Sequence, residues 1–148
     1  MRTGQVCNRT VVVVAKDTTL ADAAKLMREH HVGSLVVAQN TYGRKPVGIV
    51  TDRDMVVEVM AADLDYRTLT VGEIMGDKLV VARESDDTLD TLKLMRARGV
   101  RRLPVVTEKG DLAGIVTIDD LLEIVAEELE DVVHAIGNEQ SRESKRRH

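Results

Sequence analysis

Two short motifs hold the residues best suited to binding chemistry. Thr51-Asp52-Arg53-Asp54 and Thr117-Ile118-Asp119-Asp120 each place a threonine three positions ahead of an aspartate. An ionised carboxylate only accepts hydrogen bonds, so Asp54 or Asp120 alone can take both hydroxyls of a cis-diol. The same spacing ahead of an apolar helix is also a capping box, in which both side chains satisfy backbone N–H groups at the helix start. The two roles are compatible. Arg101 and Arg102 form the best local anion site of an acidic chain, because guanidinium forks suit phosphate oxygens. A solvated charged face is their alternative, and Arg53 is a second cationic candidate.

Other reactive side chains carry less. His30 and His31 are adjacent, so on a helix they point in different directions and do not chelate as an i, i+4 pair does. Cys7 occupies the position of Met75 in the second half of the chain, which favours a small buried apolar residue over a redox nucleophile. No Ser-His-Asp set, Cys-x-x-Cys, Walker loop or Gly-x-Gly-x-x-Gly is present. No catalytic residues, no metal site and no catalytic cofactor are expected, and the chain is not expected to be an enzyme.

The binding motifs belong to a repeat. GIVTDRD at 48–54 returns as GIVTIDD at 114–120, and Lys25-Leu26-Met27-Arg28 returns as Lys93-Leu94-Met95-Arg96, 68 positions on. The offset falls to 66 across 39–46, where the second copy is two residues shorter. Two copies are too few for a solenoid. They suit a two-fold pseudosymmetric pair.

Composition limits the partners. The 148 residues are 43% hydrophobic and 31% charged, with no Phe or Trp and a net charge of −4. That balance describes a globule with an aliphatic core, poor in the aromatic platforms that stack single-stranded bases. An acidic chain is also a poor partner for nucleic acid. The lone cysteine excludes an intrachain disulfide and fits a reducing compartment. Without an apolar run of membrane-spanning length or a signal-like N-terminus, no membrane association and a cytoplasmic location are expected.

Each copy reads β-α-β-β-α. Val-rich strands over 11–15 and 79–82 precede polar caps and helices whose buried stripes include Leu20, Ala23, Ala24 and Met27, or Leu92 and Met95. Strands over 34–38 and 103–106 lead through turns at 40–46 and 108–111 to strands over 46–50 and 112–116. Final helices are expected over 53–62 and 118–136, the second ended by Gly137. The units then span 1–62 and 71–136, with a linker at 63–70 and a disordered polar, basic tail at 137–148. Leu121, Leu122, Val125, Leu129, Val132, Val133 and Ile136 give the last helix an apolar stripe with heptad-like spacing that suits a partner helix, hence a homodimer, with packing on its own subunit as the alternative.

The repeated unit, its Gly-h-h-Thr-x-x-Asp signature, Arg101-Arg102-Leu103-Pro104-Val105-Val106 and Val71-Gly72-Glu73-Ile74-Met75 together resemble the CBS domain family, named for cystathionine β-synthase. The resemblance covers about residues 3–136 and looks like a stand-alone CBS pair. It implies an α/β (α+β) fold of two β-α-β-β-α units packed as a pseudo-two-fold, Bateman-type pair with two clefts. It also implies an adenosine-containing ligand: AMP, ADP or ATP first, with NAD or S-adenosylmethionine as further candidates. By the same resemblance Asp54 and Asp120 accept the ribose hydroxyls, Thr51 and Thr117 contact ribose or phosphate, and Arg101 and Arg102 point toward phosphates, with Arg53 in addition. The copies differ, however: Ile118 and Asp119 replace Asp52 and Arg53, while Gly33 and Ser34 stand where copy two has Arg101 and Arg102. Two clefts of unequal affinity are therefore expected, in a regulatory module acting on an unknown protein. A ligand-free scaffold is the alternative, with nucleic-acid binding through the arginines and tail less favoured.

Overall fold

Each copy builds a three-stranded sheet around a central strand too apolar to be exposed. The computed structural model describes residues 1–40 and 44–147. In the first copy β1 (Val13–Ala15) runs parallel to β2 (Ser34–Ala38), and β2 runs antiparallel to β3 (Pro46–Thr51). The second copy repeats this order with β4 (Ala82–Arg83), β5 (Arg102–Val106) and β6 (Leu112–Thr117). Leu35, Val36 and Val37 of the central strand are fully buried, as Val105 is in its counterpart. The turn expected over 40–46 falls partly outside the described residues.

β4 is shorter than β1 and starts later than the expected 79–82, for a covalent reason. In the first sheet the Val36 N–H donates to the Val12 carbonyl at 3.1 Å. The residue matching Val36 is Pro104, which has no N–H, so the equivalent bond to Val80 cannot form. Pairing begins only at Ala82 with Val105.

Helices α2 (Leu20–His30) and α5 (Thr88–Arg98) cover the sheets. Thr19 caps α2 by accepting the Asp22 N–H, and Asp87 caps α5 by accepting the Leu89 N–H. Leu20, Ala23 and Met27 are buried, but Ala24 is exposed. It borders an apolar hollow of about 350 Å³ between α2 and the residues after β3. There the expected helix over 53–62 divides into a short α3 (Asp52–Asp54) and a π-helical stretch, Met55–Met60. The wider turn sets Met55 and Val59 on one face, where Val59 is buried and Met55 packs partly against the core.

The two halves exchange their leading segments. α1 (Thr3–Val6) precedes the first copy but packs on the second: Thr3 N–H donates to the Asp86 carbonyl at 2.8 Å and Gly4 N–H to Glu84 at 3.0 Å. α4 (Val71–Ile74) makes the matching bonds on the first copy, Val71 to Thr18 at 2.9 Å and Gly72 to Lys16 at 3.0 Å. Val71 consequently joins the first core, while Val6 and Cys7 pack against the second. Packing units thus interlock where linear bounds at 62 and 71 would separate them.

The last helix, α6, runs Ile118–Arg147 and does not stop at Gly137. One interior glycine costs a helix only about 1 kcal/mol. The flanking Glu139, Gln140, Arg142 and Lys145 are good helix formers, and the positive Arg142 and Lys145 suit the C-terminal end of a helix. The stretch 137–147, expected as a disordered tail, is therefore helical.

Candidate functional site

Both Thr-x-x-Asp motifs sit where a sheet edge turns into a helix. β3 ends at Thr51 and β6 at Thr117, each in extended backbone, and a helix starts at the next residue. The junctions are clipped identically from the neighbouring strand: Asp52 N–H donates to the Gly33 carbonyl at 2.9 Å, and Ile118 N–H to Arg101 at 2.8 Å. Both capping boxes are formed. Asp54 Oδ2 accepts the Thr51 N–H at 2.9 Å while Thr51 Oγ1 accepts the Asp54 N–H at 3.1 Å. The second copy gives 3.0 and 3.2 Å for Thr117 and Asp120.

The boxes leave binding capacity in hand. Each carboxylate has four lone-pair directions, and the box uses one oxygen. Among the described residues Oδ1 of Asp54 and of Asp120 has no hydrogen-bond partner, and both side chains are only partly buried. Capping therefore fixes the rotamer of an acid that still presents an open oxygen.

The motifs face the exchanged segments, and glycine permits the approach. A Cβ on Gly114 would lie 2.6 Å from the Asn8 carbonyl oxygen and 2.8 Å from Cys7 Sγ. Asn8 and Ile115 exchange backbone hydrogen bonds of 2.8 and 2.9 Å, which locks residues 7–8 beside the second motif. At Gly48 a Cβ would instead run into the Met75 side chain. Cys7 is half-buried and donates weakly to the Gly4 carbonyl at 3.6 Å. Burial is the main cause that pushes its thiol pKa up. Arg9 pulls it down, whereas Glu84 and Asp120 push it further up. Its sulfur lies 2.8 Å from where a Cβ on Gly114 would stand, so this thiol borders the strand that leads into the second motif, a proximity that only the recurrence of glycine at 48 and 114 hints at in the sequence.

The arginines do not all stay with their own copy. Arg101 is exposed at the head of β5, and Arg53 is exposed with its backbone N–H donating to Asp52 Oδ1 at 2.8 Å. Arg102 is partly buried and pairs in register with Thr117, yet its guanidinium crosses to the first copy. A Cβ on Gly33 would lie 3.6 Å from Arg102 Nη1 and 3.1 Å from Asp52 Oδ2. The cation read from the sequence as belonging to the second copy therefore borders the first motif, and the small Gly33 makes room for it. Among the described residues none of Arg53, Arg101 and Arg102 has an ion-pair partner, while Arg9 is held by Glu84 at 2.9 Å. His30 and His31 are exposed, and no three His, Cys, Asp or Glu of the described residues gather as a metal cluster.

The sequence profile of the CBS domain matches residues 4–61 and again 71–127. The chain belongs to the CBS domain family. Its two matches make it a tandem CBS pair. The uncharacterised protein MK0525 of Methanopyrus kandleri is 34% identical over 121 residues; the match covers 82% of this chain but only 61% of that protein's length. The crystal structure of Hypoxic Response Protein I with two coordinated zinc ions is 34% identical, covering 83% of this chain and 98% of that one, with a TM-score of 0.73. The CBS domain pair of the protein MJ0100, solved with 5'-methylthioadenosine and S-adenosyl-L-methionine, superposes with a TM-score of 0.75 over 86% of this chain and 98% of that one. At 21% identity the last likeness speaks to the fold alone.

Proposed function

We propose that this CBS pair is a non-catalytic regulatory module that binds an adenosine-containing ligand, with AMP, ADP and ATP foremost and NAD or S-adenosylmethionine as further candidates. Asp54 and Asp120 take the ribose diol, Thr51 and Thr117 lie beside ribose or phosphate, and Arg53, Arg101 and Arg102 meet the phosphates. The carrying observation is the pair of oriented carboxylates: Oδ2 of each aspartate is tied to the threonine N–H, and Oδ1 is open. Hydrogen bonds to a charged group contribute about 1.5–3 kcal/mol each. Arg102, unpaired between Gly33 and Asp52, gives the first cleft the stronger phosphate end. The second has Asp119 where the first has Arg53. The module acts in the cytoplasm as a homodimer whose contacts change when ligand binds.

Ligand that binds only the folded state stabilises it by RT ln(1 + [L]/Kd), about 2.7 kcal/mol at a hundredfold excess over Kd. Melting temperature measured with AMP, ADP, ATP, NAD and S-adenosylmethionine is expected to rise for at least one, and the rise is expected to vanish in an Asp54→Ala, Asp120→Ala variant. No rise with any of the five at millimolar concentration overturns the ligand assignment. A scaffold reading has its own support in the exposed apolar stripe of α6, where Leu122 and Leu129 are each 63% exposed. It expects Leu129→Glu to dissolve the oligomer while all five compounds leave the melting temperature unchanged.

A further inference from the structure

From Val125 to Arg146 every side chain of α6 is exposed, so roughly 33 Å of helix at 1.5 Å per residue stands off the folded body. In proteins most of a helix's stability comes from packing an amphipathic face rather than from propensity. That face is present and bare: Leu122, Val125, Leu129, Val132 and Ile136 recur at alternating spacings of three and four, all exposed. The charges of the arm are polarised. Every charged residue from Asp119 to Asp131 is acidic, whereas over 137–146 Arg142, Lys145 and Arg146 outweigh Glu139 and Glu143. Parallel pairing of two such helices sets acid against acid and base against base. Antiparallel pairing sets the basic end of each on the acidic start of the other.

We infer that a second copy of this chain covers the α6 arm in an antiparallel register centred on Leu129, and that its Arg142 joins the Thr117–Asp120 motif. Facing Leu129 with Leu129 pairs Leu122 with Ile136 and Val125 with Val133, and it sets Val132 opposite Ala126. The same register brings Asn138 through Ser141 of the second copy level with Asp120 through Thr117. Arg142 falls one residue beyond, within reach of the exposed Asp119. Gly137 comes level with Leu121, where the body of the other copy begins. Within one chain a Cβ on Gly137 would meet nothing within 4 Å, so its lack of a side chain answers no contact there. A body approaching from the second copy gives it a use. The second motif, which carries Asp119 in place of a basic residue, thereby receives its cation from the partner copy.

This register rests on the self-association proposed above and not on nucleotide binding, so its test contains no nucleotide. In a Cys7→Ser background, chains carrying Leu122→Cys and differently tagged chains carrying Ile136→Cys are mixed and oxidised. Both positions are exposed, and circular dichroism checks that each variant folds. The expected product is the mixed disulfide in excess over both symmetric ones. Predominance of Leu122→Cys to Leu122→Cys links means parallel pairing and overturns the register while leaving a dimer. A monomer by sedimentation overturns both. Independently, Arg142→Glu is expected to weaken dimerisation about tenfold, and Asp119→Arg in the same chain to restore it, because the charges exchange places. Failure of that restoration removes Arg142 from the second motif.

Discussion

The hydroxyls of Thr3 and Thr91 lie 2.7 Å apart in the interior, joining the leading segment of the chain to the helix that opens the second copy. Thr3 Oγ1 also donates to the Asp86 carbonyl at 2.9 Å, so Thr91 is the donor in the pair. The matching positions in the first copy are Val71 and Ala23, both fully buried and apolar. Thr3→Val strands the Thr91 hydroxyl, a loss of about 1–3 kcal/mol for a buried polar group. Thr3→Val with Thr91→Ala rebuilds the apolar arrangement of the first copy and is expected to recover most of it. Urea unfolding of the wild type and the two variants measures the difference, and equal stability of both variants contradicts the pairing.

The glycines at the exchanged segments are expected to differ in their tolerance of a methyl group. On Gly114 a Cβ meets the Asn8 backbone oxygen at 2.6 Å, which cannot move without breaking the Asn8–Ile115 pair. On Gly48 it meets the Met75 side chain, which can change rotamer. Gly114→Ala is therefore expected to cost about 1–3 kcal/mol, the range for overpacking, with Gly48→Ala well below it. Thermal unfolding of the two variants decides this, and a larger loss at Gly48 would refute the account.

The repeat made the architecture legible, because each copy carries its own strand and helix periodicities and both agree. β2 falls on the expected 34–38, and β3 and β6 each extend one residue past expectation, to Thr51 and Thr117. The interlocking was hidden because α1 and α4 are four residues long, too short for any amphipathic period. Only the recurrence of Gly4 with Gly72 and of Gly48 with Gly114 marks the close approaches, and spacing alone does not say what approaches. The helical course of 137–147 was masked by Gly137, which reads as a stop signal yet costs too little to end a helix. Arg102 shows a different limit. Its strand position is readable from the sequence, but the side to which a long side chain crosses depends on the copy packed against it.

His31 ends α2 in the left-handed region at φ 54°, where its counterpart Gly99 ends α5 at φ 65°. That conformation costs a residue with a Cβ about 1–2 kcal/mol. Glycine gives back part of the gain through the greater entropy of the unfolded chain, about 0.4–1 kcal/mol. His31→Gly is expected to stabilise by about 0.5 kcal/mol and Gly99→Ala to destabilise by about 1 kcal/mol. The shift of the denaturation midpoint, up for one and down for the other, is the check.

Cys7 links stability to alkaline pH. Burial raises its thiol above the ordinary value of 9.0, so the folded chain holds the proton at a pH where the unfolded chain has released it. The unfolded state then binds fewer protons, and stability falls with rising pH. Below 9.0 both states are protonated and the contribution is flat. The loss is expected to begin above that value and to continue to the folded pKa. Cys7→Ala shares every other titration, so its stability curve from about pH 7 to 10 is expected to lack this part of the slope, whatever its absolute level. Parallel curves for the two proteins contradict the assignment.

Asp120 serves two roles that a change of charge can separate. Its Oδ2 accepts the Thr117 N–H at 3.0 Å, a bond that the carbonyl of an asparagine can also accept. Asp120→Asn is therefore expected to keep the cap, with a loss below about 0.5 kcal/mol, whereas Asp120→Ala removes it and costs about 1 kcal/mol. For a ribose diol the two changes rank differently. Asparagine offers one acceptor where the carboxylate offers two, and its amide nitrogen donates where the second hydroxyl also needs an acceptor. Both variants are then expected to weaken adenosyl-ligand binding at the second cleft at least tenfold, Asp120→Asn without the stability loss. Calorimetric titration with ATP, run beside urea unfolding of the same proteins, reads both effects. If Asp120→Asn binds like the wild type while Asp120→Ala is merely less stable, Asp120 is a cap and nothing more, and the ribose role falls to Asp54 alone.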